Sequence, residues 1–262
     1  VIVEQHNVRV DFAGTSGQVT GNINCPLSVA AAAVYYVFRC LMPAQTPACA
    51  GSFRPISISA PPGCLLNAQR PAAVAAGNVE TSTRIVDVVM GALAKALPAD
   101  IPAASHGSMN NLAMGYVGGT TEDKWDYYET MGGGMGASSV AEGIDSVQTH
   151  MTNTRNTPVE VMESVYPVRV KRYAIREGSG GEGQHNGGDG LMREFEFLKP
   201  AMVTLLTERR RHMPWGLNDG KAGKAGSNKL NNKELPPKTS FQVKAGDHLS
   251  IETPGGGGWG KS

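Results

Sequence analysis

Four cysteines in 262 residues, at positions 25, 40, 49 and 64, form no Cys-x-x-Cys pair. A chain of this length buries enough surface to be stable without disulfides, so the pattern reads as four reduced thiols of a cytoplasmic protein. None has a sequence neighbour that would mark it as a nucleophile. An excess of one charge is also missing. With 24 Lys+Arg against 23 Asp+Glu the formal net charge is +1, so no global field gathers polyanions. The one basic run, Arg209-Arg210-Arg211-His212, has no interleaved aromatics and reads as a solvated strand end or an ion-paired turn, with no nucleic acid as partner. Long hydrophobic runs are lacking as well. The most apolar stretch, Leu27 to Met42, is interrupted by Arg39 and is shorter than the roughly 20 residues a spanning helix needs, so no membrane segment is expected. The histidines at 6, 106, 150, 185, 212 and 248 show no ligand spacing, and no complete metal site is expected within the chain. No basic-then-apolar leader precedes the strand-like pattern that opens at Val1, so the chain reads as a fragment or a processed product.

Glycine is what the sequence has in abundance. There are 33 glycines, nearly double the ordinary share of about 7%, and they are clustered without a period. This excludes collagen and points to loops where backbone approaches something closely. Apolar residues other than glycine make up 40%, enough for a real core, and the length suits one large or two modest domains.

Val8, Val10 and Phe12 alternate with Arg9 and Asp11 before Gly14 and Gly17, which predicts a half-buried strand closed by a turn. Pro26 at a first helical position, then the Ala30 to Ala33 run and Tyr35 to Phe38, predict a buried helix that stops before Pro43. Ile85, Val88, Val89, Ala92, Leu93 and Ala96 follow the three-four spacing of a second helix, ended by Pro98. Between the helices, Ile56, Ile58 and Ala60 alternate with serines, a strand that both helices can cover. Residues 99 to 145 carry no sustained period and read as irregular, with Trp125, Tyr127 and Tyr128 arguing for packed order. From Tyr166 onward the signal is strand: Val168/Val170, Phe195/Phe197 against Glu194/Glu196, Met202 to Leu206 and His248 to Glu252. The fold class is α+β: strands with two covering helices in the N-terminal part, and mostly antiparallel β in the C-terminal third. A division into a mixed α/β part, 1–160, and a mainly β part, 161–262, is expected.

Three motifs invite chemistry. Gly255 to Ser262 fits the phosphate-loop pattern Gly-x-x-x-x-Gly-Lys-Ser, yet the helix whose N-terminus would hold phosphate is not there, which favours a glycine turn. Gly178 to Gly183 and Gly187 to Gly190 either cradle an anion with successive amides or connect strands by tight turns, the commoner use. The run His150-Met-Thr-Asn153-Thr-Arg155-Asn156-Thr-Pro-Val-Glu160 offers an imidazole, two amides, a guanidinium and a carboxylate without an apolar period, as a site that orients a small ligand would. A polar loop capping itself before Pro158 is the alternative. The candidate catalytic residue is His150, and the candidate substrate-binding residues are Asn153, Arg155, Asn156 and Glu160.

Read together, Val10-Asp-Phe-Ala-Gly14-Thr-Ser16, Gly77-Asn-Val-Glu-Thr-Ser82 with Arg84-Ile-Val-Asp87, His150 to Asn156, Tyr166-Pro-Val168, Gly187-Gly-Asp-Gly190, Thr207-Glu-Arg209, Pro214-Trp-Gly216 and Thr253-Pro-Gly-Gly-Gly-Gly258 closely resemble the C-terminal half of the hydantoinase B / 5-oxoprolinase family. Departures are His185-Asn186, where relatives often carry an aromatic and an arginine, and Lys261-Ser262, where they usually continue Asp-Pro. The resemblance implies ATP-dependent opening of a cyclic amide such as 5-oxoproline or a hydantoin. It also implies a hydantoinase A-type partner subunit or domain that binds the ATP, an upstream half of the B unit that holds a divalent metal, and hence a hetero-oligomer. Phosphorylating the lactam oxygen would supply a leaving group for attack by metal-held water. Two alternatives remain: an acetone- or acetophenone-type carboxylase subunit, and a non-catalytic piece that docks the partner.

Overall fold

The computed structural model describes residues 1–116, 118 and 124–262. The chain groups into two compact units: Val1–Ile101 with His150–Thr152, and Pro102–Thr149 with Asn153–Ser262. Positions 117 and 119–123 of the stretch read as irregular lie outside the described residues.

In the first unit, β1 (Ile2–Glu4), β2 (Asn7–Asp11) and β3 (Ile56–Ser59) form a three-stranded sheet, antiparallel between β1 and β2 and parallel between β2 and β3. β2 is the strand expected from the Val8 to Phe12 alternation, and Val10 and Phe12 are buried. Helix α1 (Leu27–Leu41) buries Ala30, Ala33, Val34 and Val37, a three-four stripe of small and branched residues. Pro26 sits at the N-cap with extended backbone, one residue before the first helical position expected for it. Helix α2 (Ser82–Leu93) packs against α1. Val88, counted on its apolar face, is 55% exposed, and the buried stripe is Ile85, Val86, Val89, Met90 and Leu93. A π-helical turn, Gly77–Thr81, leads into α2. A Cβ on Gly77 would lie 2.3 Å from the Asn24 backbone oxygen, so only glycine lets these two segments meet. The wholly buried Asn24 side chain binds backbone at Val19, Gly21 and Ala73 and ties the flanking loops together.

In the second unit all strand pairs are antiparallel. One sheet has the order β10 (Lys233–Glu234), β9 (Ser227–Leu230), β12 (His248–Glu252), β7 (Gly190–Phe197), β6 (Val168–Arg176). The other runs β11 (Lys238–Val243), β8 (Ala201–Leu206), β4 (Asn111–Tyr116), β5 (Trp125–Glu129). Their inner faces meet in one core: Leu112, Met114, Val203, Leu205 and Val243 from the second sheet, Leu191, Phe195, Phe197, Leu249 and Ile251 from the first. Strands β4 and β5 correct the reading of 99–145 as irregular. Leu112 and Met114 do alternate with Asn111, Ala113 and Gly115, but each strand is only five or six residues long and lies in a stretch dominated by glycine, serine and asparagine, so no sustained period shows. Helix α3 (Val159–Val165) was not anticipated either, because seven residues with Met162 alone buried show no stripe.

A buried ion pair joins the two sheets. Arg193 Nε of β7 lies 3.0 Å from Glu129 Oε1 of β5, with side chains 0% and 4% exposed. Tyr127 donates to Glu129 Oε2 at 2.7 Å, and the guanidinium carbon sits 4.4 Å over the Tyr173 ring. Burial pushes the Tyr127 hydroxyl far above its ordinary range, so it stays a donor.

The glycine clusters are neither open loops nor disordered. Segments around 103–107, 133–137, 179–188, 214–224 and 254–260 lie backbone on backbone and exchange amide bonds, such as Gly188 N to Met135 O, Gly256 N to Gly188 O and Gly181 N to Gly256 O, each 2.8 Å. A Cβ on Gly256 would meet the Met135 oxygen at 2.0 Å, whereas one on Gly17 meets nothing within 4 Å. Gly256→Ala is therefore expected to cost at least the roughly 1–3 kcal/mol of an overpacked site, and Gly17→Ala to stay within about 0.5 kcal/mol of the parent. Urea unfolding of the two variants side by side checks this. Glu129→Gln, which leaves a buried guanidinium without its counter-charge, should lower stability by about 3–5 kcal/mol in the same assay.

Candidate functional site

His150 belongs to the first unit and has φ +56, the left-handed region that a non-glycine residue enters only when its surroundings hold it there. Its ring meets the Tyr36 ring of α1 edge-on, centroids 5.9 Å apart. The Nε2 atom is buried and has no hydrogen-bond partner. Burial holds the imidazole below its ordinary pKa while the charge of Asp87 opposes the shift, so the neutral form prevails at neutral pH. A neutral imidazole keeps one N–H donor and one acceptor. Asp87 of α2 is itself buried and pairs with Arg84 at 2.9 Å.

The other residues singled out in the sequence lie in the second unit. Asn153 and Arg155 are exposed, and their side chains make no hydrogen bond among the described residues. Glu160 is exposed in the first turn of α3, where a carboxylate complements the helix dipole. Asn156 is different. Its Nδ2 donates to Glu129 Oε2 at 2.9 Å and to the Thr130 carbonyl at 2.8 Å, and its Oδ1 accepts from the Tyr173 hydroxyl at 3.1 Å. Both donors are used within the protein, so this amide anchors its loop to the Glu129–Arg193 pair. That network was missed from the sequence. The signal was present in Leu191, Arg193, Phe195 and Phe197, where the alternation puts an arginine on the inward face.

The phosphate-loop match fails on its amides. Gly255, Gly256, Gly257, Gly258, Trp259 and Gly260 donate to the carbonyls of Lys224, Gly188, Ala104, Lys221, His185 and Leu217. None of these six amides is left to bind phosphate, and Lys261 is exposed. In the other cluster an anion cradle does form, but its occupant is the protein's own Asp189 carboxylate, which accepts from the amides of Gly178, Ser179 and Gly180 at 2.9, 2.7 and 2.6 Å. The basic run needs correcting at its first two residues, while Arg211 and His212 are exposed. Arg209 is buried with its guanidinium 4.6 Å over the Trp215 ring, and half-buried Arg210 donates to Asn110 Oδ1 at 2.7 Å and Asn228 Oδ1 at 2.8 Å. These are packed contacts with a ring and with side-chain amide oxygens, which a solvated strand end would not make.

Among the described residues no group of three or more His, Cys, Asp and Glu side chains is arranged to hold a metal ion, so the divalent metal implied by the resemblance finds no ligand set here. Cys25 and Cys64 are buried, and burial pushes the Cys25 thiol up to about 11, which leaves it a poor nucleophile at neutral pH. No helix among the described residues is long and apolar enough to cross a membrane.

Known proteins align with this chain along its whole length. The family model described as hydantoinase B/oxoprolinase matches residues 1–262. The 5-oxoprolinase 1 of Arabidopsis thaliana is 47% identical over 257 residues, covering 96% of this chain and 19% of its own length. The crystal structure of the ATP-dependent caprolactamase from Pseudomonas jessenii superposes with a TM-score of 0.83 at 24% identity, over 97% of this chain and 46% of that one. Nucleotide-free acetone carboxylase follows with 0.76 at 17%, over 96% and 39%. At these identities the two solved structures speak for the fold, a mostly antiparallel α+β unit. The chain spans about a fifth of the plant relative and less than half of either solved chain. A family model matched from Val1 to Ser262, with nearly half of the positions identical in a curated relative, makes this chain a member of the hydantoinase B/oxoprolinase family.

Proposed function

We propose that the chain is one part of an ATP-dependent enzyme that opens a cyclic amide of the 5-oxoproline or hydantoin type, together with a hydantoinase A-type subunit or domain that binds the ATP. The observation that carries this reading is the 47% identity to a 5-oxoprolinase over 96% of the chain. The chemistry has a physical basis. An unstrained lactam is a poor electrophile, and a phosphoryl group on its oxygen makes the ring carbon one that water can attack; the C–N bond then breaks with the nitrogen leaving as the amine, and a second water releases phosphate from the acyl phosphate. In this scheme His150 contacts the substrate. Its buried, neutral imidazole donates a hydrogen bond to the oxygen that gains charge as water attacks, and a fixed donor there stabilises the transition state more than the ground state.

The test is co-expression of the full reading frame with a hydantoinase A-type partner and measurement of phosphate release with 5-oxoproline, hydantoins, simple lactams, and ketones plus bicarbonate. Release with the cyclic amides is expected; release confined to ketone plus bicarbonate would replace this reading with a carboxylase. In the assembled enzyme His150→Ala should lower kcat by roughly 10²-fold or more with little change in melting temperature. Asn156→Ala should instead lower the melting temperature, and activity only in proportion to the unfolded fraction. Normal kinetics in a folded His150→Ala enzyme would defeat the assignment.

Nucleotide binding is assigned to the partner, since the amides of Gly255 to Gly260 are already bonded. Lys261→Ala is expected to leave ATP affinity and turnover at the parent values, measured by equilibrium titration and phosphate release. A large loss in either would restore the phosphate-loop reading.

A further inference from the structure

The imidazole of His150 has little to aim it. Among the described residues it makes no hydrogen bond and no ion pair, and its buried Nε2 has no partner. The left-handed backbone, at φ +56, fixes where the Cα–Cβ bond points and leaves the ring free to turn beyond it. Histidine χ2 is a broad, roughly twofold torsion, so without a directional contact the plane of the ring is poorly defined. One directional contact is present. The Tyr36 ring of α1 meets the imidazole at a centroid distance of 5.9 Å and an interplanar angle of 74°, within the range of about 4.5–7 Å over which aromatic rings prefer an edge-to-face arrangement. Tyr36 is itself well held. It is half-buried on a helix whose Val34 and Val37, on either side of it in sequence, are wholly buried. Its neighbour Tyr35 stacks on Phe53 with centroids 4.7 Å apart. Burial, ahead of the Cys40 thiol, pushes the Tyr36 hydroxyl well above its ordinary range, so the ring that meets His150 is that of an uncharged phenol.

We propose that Tyr36 is the positioning residue for His150: its ring, presented by a packed helix, sets the plane of the imidazole and so the direction in which the imidazole N–H points. The proposal rests on the reading of His150 as the residue that contacts substrate. A donor stabilises developing negative charge best when it is aimed before the reaction begins, and in a side chain without hydrogen bonds the aim comes from packing. The ring carries this role. Edge-to-face attraction arises from the ring quadrupole, which phenylalanine shares, so the Tyr36 hydroxyl is dispensable.

The experiment is steady-state kinetics of the assembled enzyme with its cyclic amide, measured beside thermal melting. Tyr36→Leu removes the ring and should lower kcat roughly twofold to tenfold, the range one aromatic pair supports, with KM retained. Tyr36→Phe keeps the ring and should recover most of that loss. Tyr35→Leu is the control. It removes the other ring pair of the same helical turn, the one made with Phe53, and should lower the melting temperature as Tyr36→Leu does while kcat stays at the parent value. In a His150→Ala background Tyr36→Leu should cause no further loss of kcat, because a residue that acts through another falls silent once that other is gone. A parent kcat in folded Tyr36→Leu would overturn the proposal, as would equal kcat losses in Tyr35→Leu and Tyr36→Leu, no recovery in Tyr36→Phe, or additive losses in the double variant. If Tyr36→Leu does not fold, Tyr36→Met, a flexible filler without a ring, is read by the same criteria. Loss of turnover in His150→Ala without any loss in Tyr36→Leu counts against Tyr36 alone, whereas full turnover in His150→Ala counts against the underlying reading.

Discussion

Backbone resting directly on backbone is the constraint on which the second unit depends. A side chain at Gly134, Gly136 or Gly180 would begin 1.9 Å from a carbonyl oxygen of Gly188, Ala103 or Gly187, well inside any real contact. The segments that meet this way have little side chain to bury, so they are held by amide–carbonyl bonds running between stretches far apart in sequence. Each such bond removes a donor that would otherwise be buried without a partner. The same constraint accounts for the glycine content and for the misleading phosphate-loop pattern. A density of glycine suited to cradling phosphate is equally suited to close packing, and the carbonyls of Gly188, Ala104 and Lys221 have taken the amides first.

Beside this array the antiparallel sheets supply an ordinary apolar core that encloses the Glu129–Arg193 ion pair. Glu129 and Arg193 neutralise each other, Tyr127 and Asn156 donate to the second carboxylate oxygen, and the guanidinium lies over the Tyr173 ring. Asp189 occupies the cradle formed by the amides of Gly178, Ser179 and Gly180. Asn24 does for the loops of the first unit what Asn156 does for the second, closing a turn from within. Groups bonded in this way hold shape. His150 combines two other features: its backbone is in a conformation that costs energy, and a ring nitrogen is buried with no partner. That combination, more than its place in a polar run, is what recommends it as the functional side chain.

What the sequence determined by itself was whatever depends on near neighbours. The alternation at Val8 to Phe12 and at Phe195 to Phe197 gave strands, and the three-four stripe from Ile85 to Leu93 gave a helix, because in each case burial of one face repeats with the period of the local backbone. Family membership was legible for a related reason: many short blocks in register survive as text. Tertiary structure decided the rest. The period of β4 was overlooked because it lasts six residues inside a glycine-rich stretch, and α3 was too short to show a stripe. Whether Asn156 meets a ligand or Glu129, whether the glycines at 255 to 258 bind phosphate or Ala104 and Lys221, and whether Arg209 faces solvent or Trp215 are all questions about partners. Hydrogen bonds and ring contacts saturate, so the first group to arrive excludes the others, and which group arrives is fixed only when segments distant along the chain are folded side by side.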